Sequence, residues 1–389
     1  MKRNASKIYD CGIVTLWTAD LDDVSFWSSV KSARDTVELS FAILYFSKSH
    51  FEASDICRKL AQTCPGMPYA ACSTAGEITP AGMEEGQIVA ILLPARLFDV
   101  HPLWIDDIVS AGFQSVFERV SVAKREFLKA GNGDAAEKFA LCFIDGMSFA
   151  EETVTAALHW GLDDIPLLGG SAGDNMNFSD TCVILNGKIG TNCAVLLLVR
   201  SKVPFRIFKT DNFVPTENKL VVTRSDPERR IVYEFNAAPA AEEYARIIGM
   251  DAGSLSPLSF ASHPLVVRVG GQYYCRSIQK MNQDGSLSFF CAIDDGIVLT
   301  VAEPEGMAQT TSAVFDTVRS ELGSIDMILG FDCVLRRIDA ENRQVKHKIS
   351  EIYRDNNVVG FNTYGEQHIS MHLNQTFTGI AFSAPEHTG

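Results

Sequence analysis

Short apolar runs recur along the chain, each bounded by glycine, proline or a polar cluster. They include Leu39 to Ser47 (LSFAILYFS), Gln87 to Ala95 (QIVAILLPA), Lys138 to Gly146 (KFALCFIDG), Cys193 to Ser201 (CAVLLLVRS), Ile325 to Cys333 (IDMILGFDC) and Thr376 to Ala384 (TFTGIAFSA). Runs of this length without polar alternation read as strands covered on both faces. They fall into a pattern that appears three times. In the first copy, Leu39 to Ser47 is followed by an amphipathic stretch, His50 to Thr63, then by Met67 to Glu77 (MPYAACSTAGE) and Gln87 to Ala95. In the second, Lys138 to Gly146 leads to a helical stretch, Phe149 to Trp160, then to Ile165 to Asp174 (IPLLGGSAGD) and Cys193 to Ser201. In the third, Ile325 to Cys333 leads to a polar stretch that reads as helical near Gln344 to Tyr353. Asn357 to Glu366 (NVVGFNTYGE) and Thr376 to Ala384 complete it. The pattern predicts strand–helix–strand crossovers, right-handed where the strands are parallel.

Each second strand ends in small residues, then glycine, then an acid: Ala75-Gly76-Glu77, Ala172-Gly173-Asp174 and Tyr364-Gly365-Glu366. Glycine there serves a positive φ or a close backbone approach. In open α/β sheets ligands bind beyond the carboxyl ends of the strands. The three rims are therefore a candidate composite site, with hydroxyls from Thr74, Ser171 and Tyr364. The alternative is that the glycines turn the chain and the acids are solvated.

A different pattern separates the second and third copies. Leu220 to Arg224 and Ile231 to Phe235 flank Ser225-Asp226-Pro227-Glu228 and read as a hairpin. Ala240 to Ile248, after Pro239, reads as a helix. His263 to Gly270, Gln272 to Lys280, Ser286 to Ala292 and Ile297 to Ala302 read as strands, and Met307 to Leu322 as a helix. The fold class is therefore α+β (mixed α/β). It consists of layered sheets built from three strand–helix–strand–Gly-acid turn–strand units, with an antiparallel insertion. A boundary near residues 200–215 divides the chain into units 35–205 and 215–384.

Composition narrows the class. The chain has 389 residues, 46% apolar and 21% charged, with a mean hydropathy of +0.06. That is globular, and it excludes disorder, collagen-like repeats and coiled coils. A formal net charge of -14 repels phosphate backbones and anionic lipid, so nucleic acid is not an expected partner. The densest basic cluster, Arg224 to Arg230, also holds Asp226 and Glu228 and reads as a solvated turn. The ten cysteines form no C-x-x-C pair and read as small buried hydrophobes of a reducing cytoplasm. Met1 to Ser6 is not followed by an apolar h-region, and no run of 18 apolar residues occurs. Neither a signal peptide nor membrane insertion is expected, and the expected location is cytoplasmic.

Catalysis finds little footing. Cys72-Ser73-Thr74 offers nucleophiles, but no Gly-x-Ser-x-Gly elbow surrounds them. Leu168 to Gly173 is glycine-rich but lacks the lysine of a phosphate loop. The chain is not expected to be an enzyme. Among eight histidines, His50, His101, His159 and His387 have little to recommend them as ligands. His263 opens a strand of the insertion, and His347 lies in the weak helix of the third copy. His368 and His372 follow the third rim and, four residues apart, share a face of either a helix or a strand. Two histidines with no evident further ligand make a poor zinc site.

Cys72 to Glu77, Gly169 to Asp174, Gly360 to Glu366 and the closing Asn374-Gln375-Thr376 resemble the hallmark segments of FIST-domain proteins. Val232-Tyr233-Glu234 with Ala237, Pro239 and Ala240 resembles the start of the FIST C-terminal domain. The resemblance runs in order from about residue 35 to 384. It implies a FIST N-terminal domain over 35–205 and a FIST C-terminal domain over 215–384, in an intracellular sensory module of bacterial signal transduction. Gly360 to Gln367 with Met371 to Thr376 resembles the nitric-oxide-sensing NosP branch. That resemblance implies haem b, nitric oxide as the input and a sensor histidine kinase as partner. His372 is then favoured over His368 as axial ligand, because it lies in the motif-like segment; a Cys or Tyr ligand stays open. The alternative is a haem-free receptor for an amino acid or similar metabolite. It would be recognised by Glu77, Asp174 and Glu366 with Thr74, Ser171 and Tyr364.

Overall fold

Every apolar run that opens a repeat becomes the middle of a sheet. The computed structural model describes residues 5–131 and 136–384, so Met1 to Asn4 and His387 lie outside the described residues. In the first repeat, strand Leu39–Phe46 runs parallel to Tyr69–Ser73 across a helical crossover, Ala53–Thr63. Return strand Ile88–Pro94 then pairs antiparallel with the first. Glu137–Ile144, Leu167–Ser171 and Cys193–Ser201 repeat this arrangement. Met327–Cys333, Val358–Thr363 and Thr376–Phe382 repeat it again.

The helices are labelled in chain order: α1 (Val24–Thr36), α2 (Ala53–Thr63), α3 (Ile108–Ala130), α4 (Glu151–Leu162), α5 (Ala240–Ile248), α6 (Pro257–Ser262), α7 (Met307–Leu322), α8 (Val334–Asn342) and α9 (Lys346–Asp355). The crossover of the third repeat is thus two helices. Its first, α8, reads as polar because Arg336, Arg337 and Asp339 lie in it, yet all three are buried. Arg336 donates to Asp332 at 2.7 Å and to Asn212 at 2.8 Å, and Arg343 donates to Asp339. Buried charge is tolerated only when paired in this way.

Side chains alternate along each central strand, which explains why the runs are apolar throughout. Ile43, Tyr45, Leu141, Phe143, Phe331 and Phe361 point into one core shared by the three repeats. There the Tyr45 ring lies 4.6 Å from Phe361 and 5.9 Å from Phe143. Ala42, Leu44 and Phe46 point the other way, under α1 and α2. Ala140, Cys142 and Ile144 point under α3 and α4. Truncating a ring in the shared core costs roughly 3–5 kcal/mol.

Between its second and return strands each repeat sends out a short hairpin, and none of the three stays home. The first hairpin, Glu77–Thr79 with Gly82–Glu84, adds to the third repeat's sheet through Ile78 and Gly360. The second, Val183–Leu185 with Lys188–Gly190, adds to the first repeat's sheet through Ile184 and Ala71. The third, Glu366–His368 with Met371–Leu373, adds to the second repeat's sheet through Gln367 and Gly169. The exchange closes a three-membered ring. Strand Phe205–Asp211 already pairs with Thr376–Phe382, so the chain joins the third repeat's sheet directly after the second repeat.

The antiparallel insertion forms as its turn signals predict. Phe213–Asp226 pairs with Ile231–Phe235, α5 follows Pro239, and α7 occupies 307–322. All ten cysteines are free, and nine are buried. Among the described residues no helix is long and apolar enough to cross a membrane.

Candidate functional site

Hairpin exchange carries the three Gly-acid rims to one junction. The Ala75 N–H donates to Asn362 O, and the Asn362 N–H donates to Gly76 O at 2.7 Å. Gly173 N–H donates to Ser73 O at 3.0 Å. Ser171 N–H donates to Gly365 O at 2.8 Å, and Tyr364 N–H to Ser171 O at 3.2 Å. Each rim thus holds the other two by backbone bonds. Gly76 supplies a φ of +134°. Gly365 supplies a close approach: a Cβ there would sit 2.2 Å from the His372 ring.

The rim acids divide into two kinds. Glu77 and Glu366 are fully buried. Glu77 accepts from the Thr74 hydroxyl and from the Gln87 N–H at 3.0 Å. Glu366 accepts from the Thr363 hydroxyl, the Thr376 hydroxyl at 2.7 Å and the Thr376 N–H at 3.3 Å. Burial pushes the Glu77 carboxyl up to about 7 and the Glu366 carboxyl up to about 8. These two bolt hairpin to sheet and present no carboxylate to solvent. Thr74 also donates to Phe46 O, Ser171 accepts from Gln367 Nε2, and Asn374 donates to Tyr364 O.

Asp174 is the exception, because it organises a loop. Its carboxylate accepts from the Phe178, Ser179 and Asp180 N–H groups at 2.9, 2.8 and 2.9 Å, and from the Tyr364 hydroxyl. Burial opposes its charge, yet the Tyr364 hydroxyl and these N–H donors hold the carboxyl below the usual range. The loop so anchored lays the Phe178 ring 4.8 Å from Tyr364 and 5.7 Å from Phe290, with Met147 and Met176 alongside. Asn175, Met176 and Phe178 all have positive φ, as does Phe149 nearby. Such backbone costs about 1–3 kcal/mol per residue and collects at ligand clamps and switches.

Beside this loop lies a charge cluster that the sequence reading missed. Arg230 is not in a solvated turn: it is 4% exposed. Its guanidinium donates to Glu151 at 2.7 Å, Glu152 at 2.5 Å and Phe290 O at 2.6 Å. The rest of that turn behaves as expected, with Arg224 paired at the surface to Glu234. Arg230 is buried because the insertion's turn lies against the start of α4, where Glu151 and Glu152 form the acidic first turn. That acidic pair opening a predicted helix was the available signal. Burial raises the Glu151 carboxyl and the Arg230 charge opposes the rise.

The two candidate histidines do not share a face. Ile369 and Ser370 form a two-residue turn, so Gln367 lies opposite His372, and His368 opposite Met371. Alternation along the paired strands then sends His372 to one side of the hairpin and His368 to the other. His372 is buried, with Nδ1 3.2 Å from Gln367 Nε2. Burial lowers its pKa to about 4, with Glu152 opposing and Arg230 and Arg276 assisting. His368 is lowered to about 4 by burial and by Lys209, and its buried Nδ1 has no hydrogen-bond partner among the described residues. Both imidazoles are therefore neutral near pH 7.

The three repeats, with their hairpins exchanged, meet the insertion at a junction that is aromatic and carries positive-φ backbone. Residues 40–238 match the family model described as the FIST N domain, and residues 240–368 match the FIST C domain. The chain belongs to the FIST family, whose domains are sensory ligand-binding domains of signal transduction. It is also similar to the uncharacterized protein MJ1623 of Methanocaldococcus jannaschii, with 25% identity over 252 residues. That stretch is 56% of this chain and 49% of the relative. The chain therefore spans about half the length of the curated relative it matches.

Proposed function

We propose that this FIST protein is a haem-based nitric oxide sensor of the NosP type, acting from the cytoplasm on a partner histidine kinase. The observation that carries this reading is the Glu366–Leu373 hairpin. It belongs to the C-terminal region, it is hydrogen-bonded into the N-terminal region's sheet, and it bears two neutral imidazoles. The donor chemistry fits haem at His368, whose buried Nδ1 has no partner among the described residues. His372 fits a positioning role, because its ring is held between Gln367 and Gly365. Haem iron, when bound, supplies the position at which a diatomic gas coordinates. The chain's own part is mechanical. His368 is one residue from Gln367, which bonds Ser171 of the neighbouring rim. Through its own strand His368 is thereby tied to the contact between the two regions. A partner that binds one placement of the regions better than the other is switched by that difference.

The reading is tested by titrating the purified chain with haemin, then reducing it and adding nitric oxide. A saturable Soret band that shifts with the gas is expected. Absence of any saturable band overturns the proposal.

A second reading is a haem-free receptor for an amino acid or similar metabolite, favoured by the Arg230–Glu152 pair beside the Phe178 loop. The Glu152 side chain is 35% exposed, so it can exchange Arg230 for a ligand's ammonium group. Thermal stabilisation by a saturating amino acid supports it, and a flat response across a metabolite panel counts against it. Both readings make the chain a sensor and not an enzyme. Cys72 is fully buried with its thiol pushed up by desolvation, and Ser73 Oγ accepts from the Cys182 N–H.

A further inference from the structure

Helix α3 buries Val116, Val120, Ala123 and Phe127 against its sheet, and α4 packs beside it. Gly161 lets the two helices close up, since a Cβ there would meet Val120 at 2.7 Å. Their outward side is not polar. Trp160 on α4 is 66% exposed, and Val122 on α3 is 45% exposed. Phe113, also exposed, stacks on Phe117 at 6.1 Å with the ring planes 7° apart. Between the helices runs a groove of about 660 Å³, lined by Phe117, Val122 and Trp160 together with charged side chains of both signs. Exposed aromatic clusters of this kind mark interaction surfaces.

We propose that this face joins two copies of the chain about a two-fold axis, α3 against α3. The charges specify the occupant. Glu118 and Arg125 stand seven residues, two helical turns, apart, and both are exposed. Arg125 has no ion-pair partner among the described residues, and Glu118 only accepts from its neighbour Gln114. When two copies of α3 cross antiparallel at Ser121 and Val122, Glu118 of each meets Arg125 of the other. A two-fold axis makes that contact twice. A parallel crossing sets like charge against like. The centre of the crossing is uncluttered at Ser121, and Trp160 of each copy covers the groove of the other. The patch is locally balanced, with Glu118 and Asp163 against Lys124 and Arg125. That balance matters, because two chains each carrying -14 repel everywhere else.

Sedimentation equilibrium of the full-length chain tests the proposal. A species of twice 42.6 kDa is expected at micromolar concentration. Trp160→Glu should return it to the monomer. Glu118→Arg and Arg125→Glu should each weaken the dimer by about tenfold or more, since each sets like charges face to face twice. The double variant Glu118→Arg/Arg125→Glu should recover the dimer, because the exchanged charges again meet in trans. Circular dichroism checks that each variant stays folded, as surface changes should allow. A wild-type monomer overturns the proposal, and so does a dimer indifferent to Trp160→Glu. Single-variant losses that the double variant does not repair overturn the antiparallel crossing.

Discussion

Replacing Glu366 by glutamine should stabilise the protein in alkali and do little in acid. The carboxyl is fully buried, and desolvation lifts it from 4.5 to about 8. The folded chain therefore keeps this proton through a range in which the unfolded chain has released it. The stability from this group is fully present below the unfolded value and is lost as pH rises through the folded one. A gap of that size corresponds to roughly 5 kcal/mol between about pH 4 and pH 8. Glu77, lifted to about 7, adds a smaller loss in the same direction. Glutamine keeps the shape and stays neutral. Its oxygen can accept from the Thr376 pair, while the Thr363 hydroxyl turns to accept from its amide. Chemical denaturation of wild type and Glu366→Gln at pH 5, 7 and 9 measures the effect. The variant should match wild type within about 1 kcal/mol at pH 5 and exceed it by several kcal/mol at pH 9. Equal destabilisation of the variant at every pH, or wild-type stability that rises from pH 6 to 9, would mean that the folded chain does not hold this proton. Glu366→Ala is the contrast: it strands three donors and should destabilise at all pH values, by about 1–3 kcal/mol per donor.

Other outcomes follow from the same contacts. Arg230→Met leaves Glu151 and Glu152 without their shared cation and should cost about 3–5 kcal/mol at pH 7 in denaturant titration; Arg224→Met, at the surface of the same turn, should cost under about 1 kcal/mol. Gly173→Ala places a Cβ 2.9 Å from the Ala75 Cβ and backbone nitrogen. It should lower Tm by several degrees through the rim contact, whereas Gly66→Ala, with open space around it, should be limited to its backbone cost at φ +78°.

Legibility in the sequence followed the range of the interactions. The repeats could be read because strands covered on both faces leave unbroken apolar runs, and LSFAILYFS is such a run. The 307–322 helix could be read because its apolar spacing is local and its ends carry Gly306 and Gly323. Hairpin exchange could not be read, since Gly169 pairs with Gln367 about half the chain away, and no local pattern names a partner. The opposite facing of His368 and His372 was hidden because their turn, Ile369-Ser370, holds no Gly, Asn, Asp or Pro and opens on a β-branched residue. Its Ile369 takes a φ of +56°, which only the surrounding pairing enforces. Arg230 misled for a related reason: five exposed or paired charges look alike in sequence, and only packing against α4 buries this one. Likewise α8 looked polar because its arginines pair with Asp332 and Glu85 and donate to the Ala75 carbonyl, not to water.

The most direct test of the sensing account is a side-by-side haemin titration of wild type, His368→Ala and His372→Ala, followed by absorption spectroscopy before and after nitric oxide. The account predicts a saturable Soret band in wild type. It predicts loss of the axial-ligand signature in His368→Ala, and retention of that signature with weakened response to the gas in His372→Ala. Identical spectra from all three proteins, or no saturable band in any, would contradict it.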